Sequence, residues 1–401
     1  MPAGPVIALV DGEHHPPAVR DALDRLERER GLAGVVFCGG EEKLRDGSLE
    51  EHYGRPVEAE PEAGLRALAP AARAVVDLAD EPVLPPLARL ELAALALHLG
   101  LAYETPGARL EPPAYATVEF DGPKLAVIGT GKRTGKTAVA AHWAGLLRKR
   151  EPVIVCMGRG GPAQPVVAEP STSLDDLLAI AAGGGHAASD YLEDAALAGV
   201  RTVGCRRIGG GLVGEPAESN VAEGAALAAS LGPGALIFEG SGSSIPPVEV
   251  DRTVCLAGPG AGVDALSAYR LLRADLVLAA PGLEPPTGAE LLRFELVPEP
   301  VEPVPEGARV ALFSTGSGRP EGLEPVVASA NLARRGALAA DLDRAAAEGC
   351  DVYLTELKAA AIDTVAERAL REGARVVFLR NRPVGLDSDL DAALLELADG
   401  A

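Results

Sequence analysis

Residues 125–139, LAVIGTGKRTGKTAV, constrain this chain more than any other segment. An apolar run, Leu125 to Ile128, leads into the glycine-rich GTGKRTGKT, and the small apolar residues Ala138, Val139, Ala140 and Ala141 follow in a helical pattern. The order strand, glycine-rich turn, helix is that of a phosphate-binding loop. Glycines let backbone N–H groups face an anion, and the helix N-terminus adds its dipole. In such a loop Gly129, Gly131, Arg133, Thr134 and Gly135 would wrap the phosphates of ATP. Lys136 would reach the β- and γ-phosphates, and the Thr137 hydroxyl would sit on Mg²⁺. The spacing is uncommon, with Gly129 six residues before Gly135 and Thr at position 130.

Strand and helix patterns alternate along the whole chain, which predicts parallel sheets with helices on both faces. The expected fold is α/β: an N-terminal Rossmann-like parallel-sheet domain over 1–115, then a P-loop NTPase α/β domain over 116–401. The first domain is expected to hold strands at Val6–Val10, Gly34–Cys38 and Ala74–Leu78, with helices at Pro17–Arg30 and Leu84–Leu99. Thr105–Pro113 reads as a linker and Ala116–Phe120 as a first strand of the second domain. Nine more strands are expected from Leu125–Ile128 to Val376–Leu379. The Pro- and Glu-rich Pro281–Glu306 reads as a loop or connector.

A net charge of −21 argues against a nucleic-acid partner, which needs a basic surface. Any polyanionic substrate must therefore meet a local basic pocket. Only six residues are lysine, and two of them, Lys132 and Lys136, fall in the loop. The five cysteines show no C-x-x-C spacing and read as buried thiols of a reducing, cytoplasmic compartment. The N-terminus reads as a strand, not a signal peptide. The longest apolar stretch, Leu87–Tyr103, carries Arg89, Glu91 and His98, so no membrane association is expected.

Further candidates stand at predicted strand ends, where open α/β sheets bind ligands. Gly158-Arg159-Gly160-Gly161 places one arginine there. Arg206-Arg207 precede Gly209-Gly210-Gly211 and offer a cradle for phosphate. Glu239 ends an apolar strand and enters Gly240-Ser241-Gly242, the pattern that supplies a carboxylate to Mg²⁺ or its waters. Asp11, Glu13 and His14 follow the first strand in a ligand-facing position. Asn381, after a late strand, could touch a base, whereas Arg334-Arg335, Arg380 and Arg382 read as surface pairs and His186 as structural.

The loop form GT-x4-GKT and the acid-plus-glycine segment at Glu239 resemble those of dethiobiotin synthetase and its relatives. The set VDGEHHPPAV, GTGKRTGKTAV, MGRGGP and FEGSGSSIPPV, in this order, resembles the cyclic 2,3-diphosphoglycerate synthetases. The resemblance runs through the chain. It implies a cytoplasmic ligase that uses ATP to close an intramolecular phosphoanhydride in a phosphorylated glycerate. Joining two phosphates requires their repulsion to be neutralised. Lys132, Lys136, Arg159 and Glu239 are the expected catalytic set, with Thr137 and Glu239 on the metal. Arg159, Arg206, Arg207, Asp11, Glu13 and His14 are expected on the substrate. The expected assembly is a homodimer. Two other enzymes share these features: a 2-phosphoglycerate kinase making 2,3-diphosphoglycerate, and a dethiobiotin-synthetase-like ligase. A nucleotide-switched GTPase fits less well, because no N-K-x-D signature is present.

Overall fold

A computed structural model describes residues 4–258, 262–316 and 318–401. The chain divides into two compact units, Met1–Ala114 with Gly262–Arg273, and Tyr115–Ala261 with Ala274–Ala401. The second stretch of the first unit carries the short helix Tyr269–Leu272.

The first unit is a six-stranded sheet in the order β3-β2-β1-β4-β5-β6. Its strands are β1 (Val6–Val10), β2 (Leu32–Phe37), β3 (Val57–Glu58), β4 (Ala74–Asp77), β5 (Ala102–Thr105) and β6 (Ala108–Leu110). All pairs are parallel except β5 with β6. The stretch read as a linker from Thr105 is thus the return of a hairpin. Pro106 and Gly107 (φ 82°) make its two-residue turn. Every residue of β1 is buried, as a strand covered on both faces requires.

In the second unit thirteen strands form one sheet. In chain order they are β7 (Lys124–Gly129), β8 (Val153–Gly158), β9 (Val166–Ala168), β10 (Thr202–Ile208), β11 (Glu218–Ser219), β12 (Leu236–Glu239), β13 (Arg252–Ala257), β14 (Leu276–Ala279), β15 (Glu290–Pro300), β16 (Val310–Phe313), β17 (Val327–Ser329), β18 (Val352–Glu356) and β19 (Arg375–Gly385). The order is β11-β10-β8-β12-β7-β13-β14-β15-β19-β18-β16-β17, with β9 also on β10. From β10 to β15 successive neighbours are parallel, so their C-terminal ends share one edge.

Two expectations fail here. The Pro-rich stretch after Pro281 contains β15, whose Leu292 and Phe294 are buried with Leu296 beside them in the core. That period-two alternation outweighs the prolines, because β15 pairs antiparallel with β19 and Leu292, Phe294 and Leu296 share one apolar face. Conversely, Ala116–Phe120 forms no strand and makes one isolated bridge, Ala116 with Val248. Its partner segment includes Pro246 and Pro247, which lack the N–H a ladder needs.

The helix Lys136–Leu146 follows β7 and packs Val139, Ala140, Trp143 and Ala144 into the main core. Trp143 is fully buried and donates its indole N–H to the Leu394 carbonyl at 2.8 Å. This fixes the helix, and with it the direction its N-terminus faces.

Candidate active site

The loop between β7 and the helix Lys136–Leu146 turns on Gly135, whose φ of 101° only glycine adopts freely. Arg133 is held left-handed at φ 58°, a conformation that costs a non-glycine residue on the order of 1 kcal/mol and clusters at ligand sites. The Thr130 N–H donates to Leu256 O at 3.0 Å, tying the loop to β13. Lys136 is buried, and its ammonium donates to Gly131 O at 2.8 Å and Thr134 Oγ1 at 3.3 Å. It thus folds back over the loop it would serve. Burial lowers its pKa to about 8, against the pull of Glu239 and Asp190.

One strand over, β12 ends in Glu239, which is buried. Thr137 Oγ1 donates to its Oε1 at 2.6 Å and the Cys156 thiol to its Oε2 at 3.2 Å. Burial and the Asp190 charge raise the Glu239 carboxyl to about 7, opposed by Thr137, Cys156 and Lys136. The Thr137 hydroxyl and the Glu239 carboxylate make a pair of oxygen donors at a helix N-terminus. A hard divalent cation takes that kind of ligand.

A cleft of about 730 Å³ opens over this edge. Lys132, Arg133, Thr134, Gly135, Lys136, Thr137, Arg159 and Glu239 all line it. The loop after β12 passes Gly242 (φ 63°) close to three cations. A Cβ there would lie 3.1 Å from Arg159 Nη2, 3.6 Å from Arg207 Nη2 and 3.7 Å from Lys132 Cγ. Arg207 is buried, donates to the carbonyls of Ser241 (2.9 Å) and Gly209, and leaves its Nε without a partner. Burial and the Arg159 charge lower its pKa. Cations gathered against their mutual repulsion form a seat for an anion.

The structure separates the Arg206-Arg207 pair. Successive strand residues point to opposite faces, so Arg207 turns in toward the Ser241-Gly242 loop while Arg206 is exposed on β10; neither is among the residues lining the cleft. Asp11, Glu13 and His14 lie in the first unit, after β1. The Asp11 carboxylate is fully buried and already saturated. Its Oδ1 accepts from Glu13 N (2.9 Å), His14 N (3.0 Å) and His14 Nδ1 (2.8 Å), and its Oδ2 from Asp80 N (2.6 Å). Asp11 is thus engaged in ordering its own loop, through four accepted hydrogen bonds. Glu13 and His14 remain on the rim of that loop.

Several cleft residues escape a reading of the sequence. Lys358, in the turn after β18, pairs with Glu193 Oε1 at 3.2 Å; that carboxylate raises the lysine pKa. Asp190 lines the cleft, and Asp194 is fully buried behind Glu239. Signals for both existed. Asp190, Glu193 and Asp194 have the i, i+3, i+4 spacing of one helix face, and Lys358 is another of the six lysines. Asn381 also lines the cleft and donates to Glu356 Oε1 at 3.2 Å, while Thr315 donates to Glu356 Oε2 from its N–H (2.8 Å) and hydroxyl (2.7 Å). Arg335 pairs with Asp363, and Arg380 and Arg382 with Glu299, as surface pairs do. His186 lines the cleft. No described helix is long and apolar enough to cross a membrane.

Three family models match the chain. They are described as the N-terminal domain (residues 5–111), the P-loop domain (124–293) and the C-terminal domain (320–382) of cyclic 2,3-diphosphoglycerate synthetase. Curated proteins of that name align almost end to end. The one from Rubrobacter xylanophilus is 45% identical, over 98% of this chain and 97% of its own length. Those from Thermococcus gammatolerans and Methanothermobacter thermautotrophicus are 38% and 34% identical, over 98% and 99% of this chain and 96% of each relative.

Proposed function

The chain belongs to the cyclic 2,3-diphosphoglycerate synthetase family, and from that premise we propose that it couples ATP hydrolysis to closing the intramolecular phosphoanhydride of 2,3-diphosphoglycerate. One observation carries the reading beyond the family name. The phosphate loop, with its Lys132, and two cations from other strands, Arg159 and Arg207, gather around Gly242 at one sheet edge. A nucleotide needs the first; a second polyanion needs the second.

In this reading Gly129 to Thr137 hold the triphosphate, with Lys136 on the transferred phosphoryl. Mg²⁺ belongs on Thr137 with Glu239; it would offset phosphate charge and align the triphosphate. Arg159 and Arg207 hold the diphosphoglycerate, and Lys358 faces the same cleft from the C-terminal segment. The γ-phosphoryl passes to one substrate phosphate. The neighbouring phosphate oxygen then attacks that phosphorus and inorganic phosphate leaves, so one ATP yields ADP, phosphate and one ring. The site's cations counter repulsion between the two anionic groups, the main electrostatic obstacle to the step.

The test is ADP release from ATP and Mg²⁺ with 2,3-diphosphoglycerate, 2-phosphoglycerate or no acceptor. The reading expects release with the diphosphate alone. Release with 2-phosphoglycerate instead would identify a kinase, and acceptor-independent hydrolysis of GTP would point to a switch.

A further inference from the structure

Behind Glu239 stand two donors, Cys156 and Asp194, to which the nucleotide reading gives no role. Cys156 on β8, Asp194 and Glu239 are all buried, and one donor atom of each lies within 4.8 Å of the others. Among the described residues this is the one such group. Asp194 is fully buried, and neither of its oxygens accepts from an N–H or from a hydroxyl among the described residues; burial, the Glu239, Glu193 and Asp190 charges and its contact with the Glu239 carboxyl raise its pKa. A buried carboxyl pair without N–H or hydroxyl donors on the Asp194 side favours a cation in its place.

The backbone puts Asp194 there by an irregular device. The helix Asp190–Glu193 widens at Asp194–Ala198 into a π-helical turn, a distortion found mostly at functional sites. Asp194 also lines a second cavity, of about 300 Å³, together with Thr137 and His142. Cys156 and Glu239 line the nucleotide cleft. The three donors therefore stand in the wall between two cavities, with room for water on the Asp194 side.

We propose that Cys156, Asp194 and Glu239 form a second divalent-cation site, bridged by Glu239 to the cation on Thr137. The bridge follows from the two oxygens of one carboxylate: Oε1 faces Thr137 and Oε2 faces Cys156. The bridging half rests on the reading that Thr137 and Glu239 carry the nucleotide's cation; the site itself does not. One sulfur and two carboxylates favour a borderline ion such as Mn²⁺, Co²⁺ or Zn²⁺ over Mg²⁺, which prefers oxygen ligands and retains its waters. Binding converts the thiol to a thiolate and releases its proton. Paired cations sharing a carboxylate are a recurrent means of clamping both the attacking and the leaving oxygens of a phosphoryl group.

The test is a Co²⁺ titration of the chelator-stripped full chain without nucleotide. The expected result is one equivalent bound, with a near-ultraviolet thiolate-to-cobalt band. Cys156→Ser removes the band, and Asp194→Asn weakens binding at least tenfold. Thr137→Ala, which removes the hydroxyl on Glu239 Oε1 but none of the three donors, leaves the band in place. Circular dichroism and a normal melting transition show that each variant is folded. A folded wild type without the band overturns the site, as does a band that survives Cys156→Ser or an affinity unmoved by Asp194→Asn. A band present in a protein that makes no cyclic product would leave the site standing and remove the proposed reaction instead.

Discussion

Asp11 and Glu239 stand at the same place in two sheets. Each is a buried acid at the C-terminal end of a buried parallel strand and enters a glycine-containing turn. In sequence they are indistinguishable. In the structure Asp11 accepts four hydrogen bonds, three of them from the backbone, and organises its own loop. Glu239 accepts from one hydroxyl and one thiol and has a second buried carboxyl, Asp194, beside it. A buried charge whose partners are complete is structure. One left short of partners, and raised to about 7, is poised for a ligand.

The largest effect is expected at the loop beside Glu239. Lys136→Ala should cost about 2–4 kcal/mol of transition-state stabilisation, a loss of roughly 10²–10³ in turnover, with circular dichroism unchanged. Near-normal turnover would remove the loop from the mechanism.

Glu239→Gln and Asp11→Asn test the contrast directly. Glu239→Gln should lower turnover on the order of 10²-fold across a Mg²⁺ titration while leaving thermal stability level or higher, because it removes an under-partnered buried charge. Asp11→Asn should cost on the order of 1–3 kcal/mol in the unfolding of the first unit, read by calorimetry. A stable Asp11→Asn beside an unstable Glu239→Gln would reverse the two assignments.

The same contrast predicts a pH dependence. The Glu239 carboxyl rises in the folded chain from its ordinary 4.5 to about 7. Between those values the folded state holds a proton that the unfolded state releases. The stability of the ligand-free protein should therefore fall as pH rises through this window, by at most about 1.4 kcal/mol per pH unit for this group. Glu239→Gln should reduce the slope in thermal melts from pH 4.5 to 7.5, the raised Glu193 and Asp194 retaining the rest, and an equal slope in that variant would assign the effect to those neighbours.

The smallest effects separate two neighbours. Arg207→Ala should raise the KM for the diphosphate about 10-fold or more with little change for ATP, as loss of a charge-assisted contact does. Arg206→Ala should change either by less than about twofold. A larger effect at Arg206 would break the cradle around Gly242.

Much of this was legible in the sequence, and the failures have specific causes. β7, the loop and Lys136 announce themselves because glycine spacing and helix dipole act locally. Glu239 stands out in the sequence because an acid ending an apolar strand is also a local pattern. The roles of Arg206 and Arg207 could not be divided without strand register, which decides the face each side chain takes. β15 was hidden by counting prolines instead of following Leu292, Phe294 and Leu296. Lys358 and Asp190 come to the cleft from segments remote from the loop in sequence, and tertiary packing alone brings them there.

The most direct test of the account is the product itself, followed by ³¹P NMR with purified protein, MgATP and 2,3-diphosphoglycerate. The account predicts that the two phosphomonoester resonances of the substrate give way to signals in the phosphoanhydride range. ADP and inorganic phosphate should appear in step, one of each per molecule converted, and the Lys136→Ala variant should leave the spectrum unchanged. ADP and phosphate accumulating while the diphosphoglycerate resonances persist would contradict it.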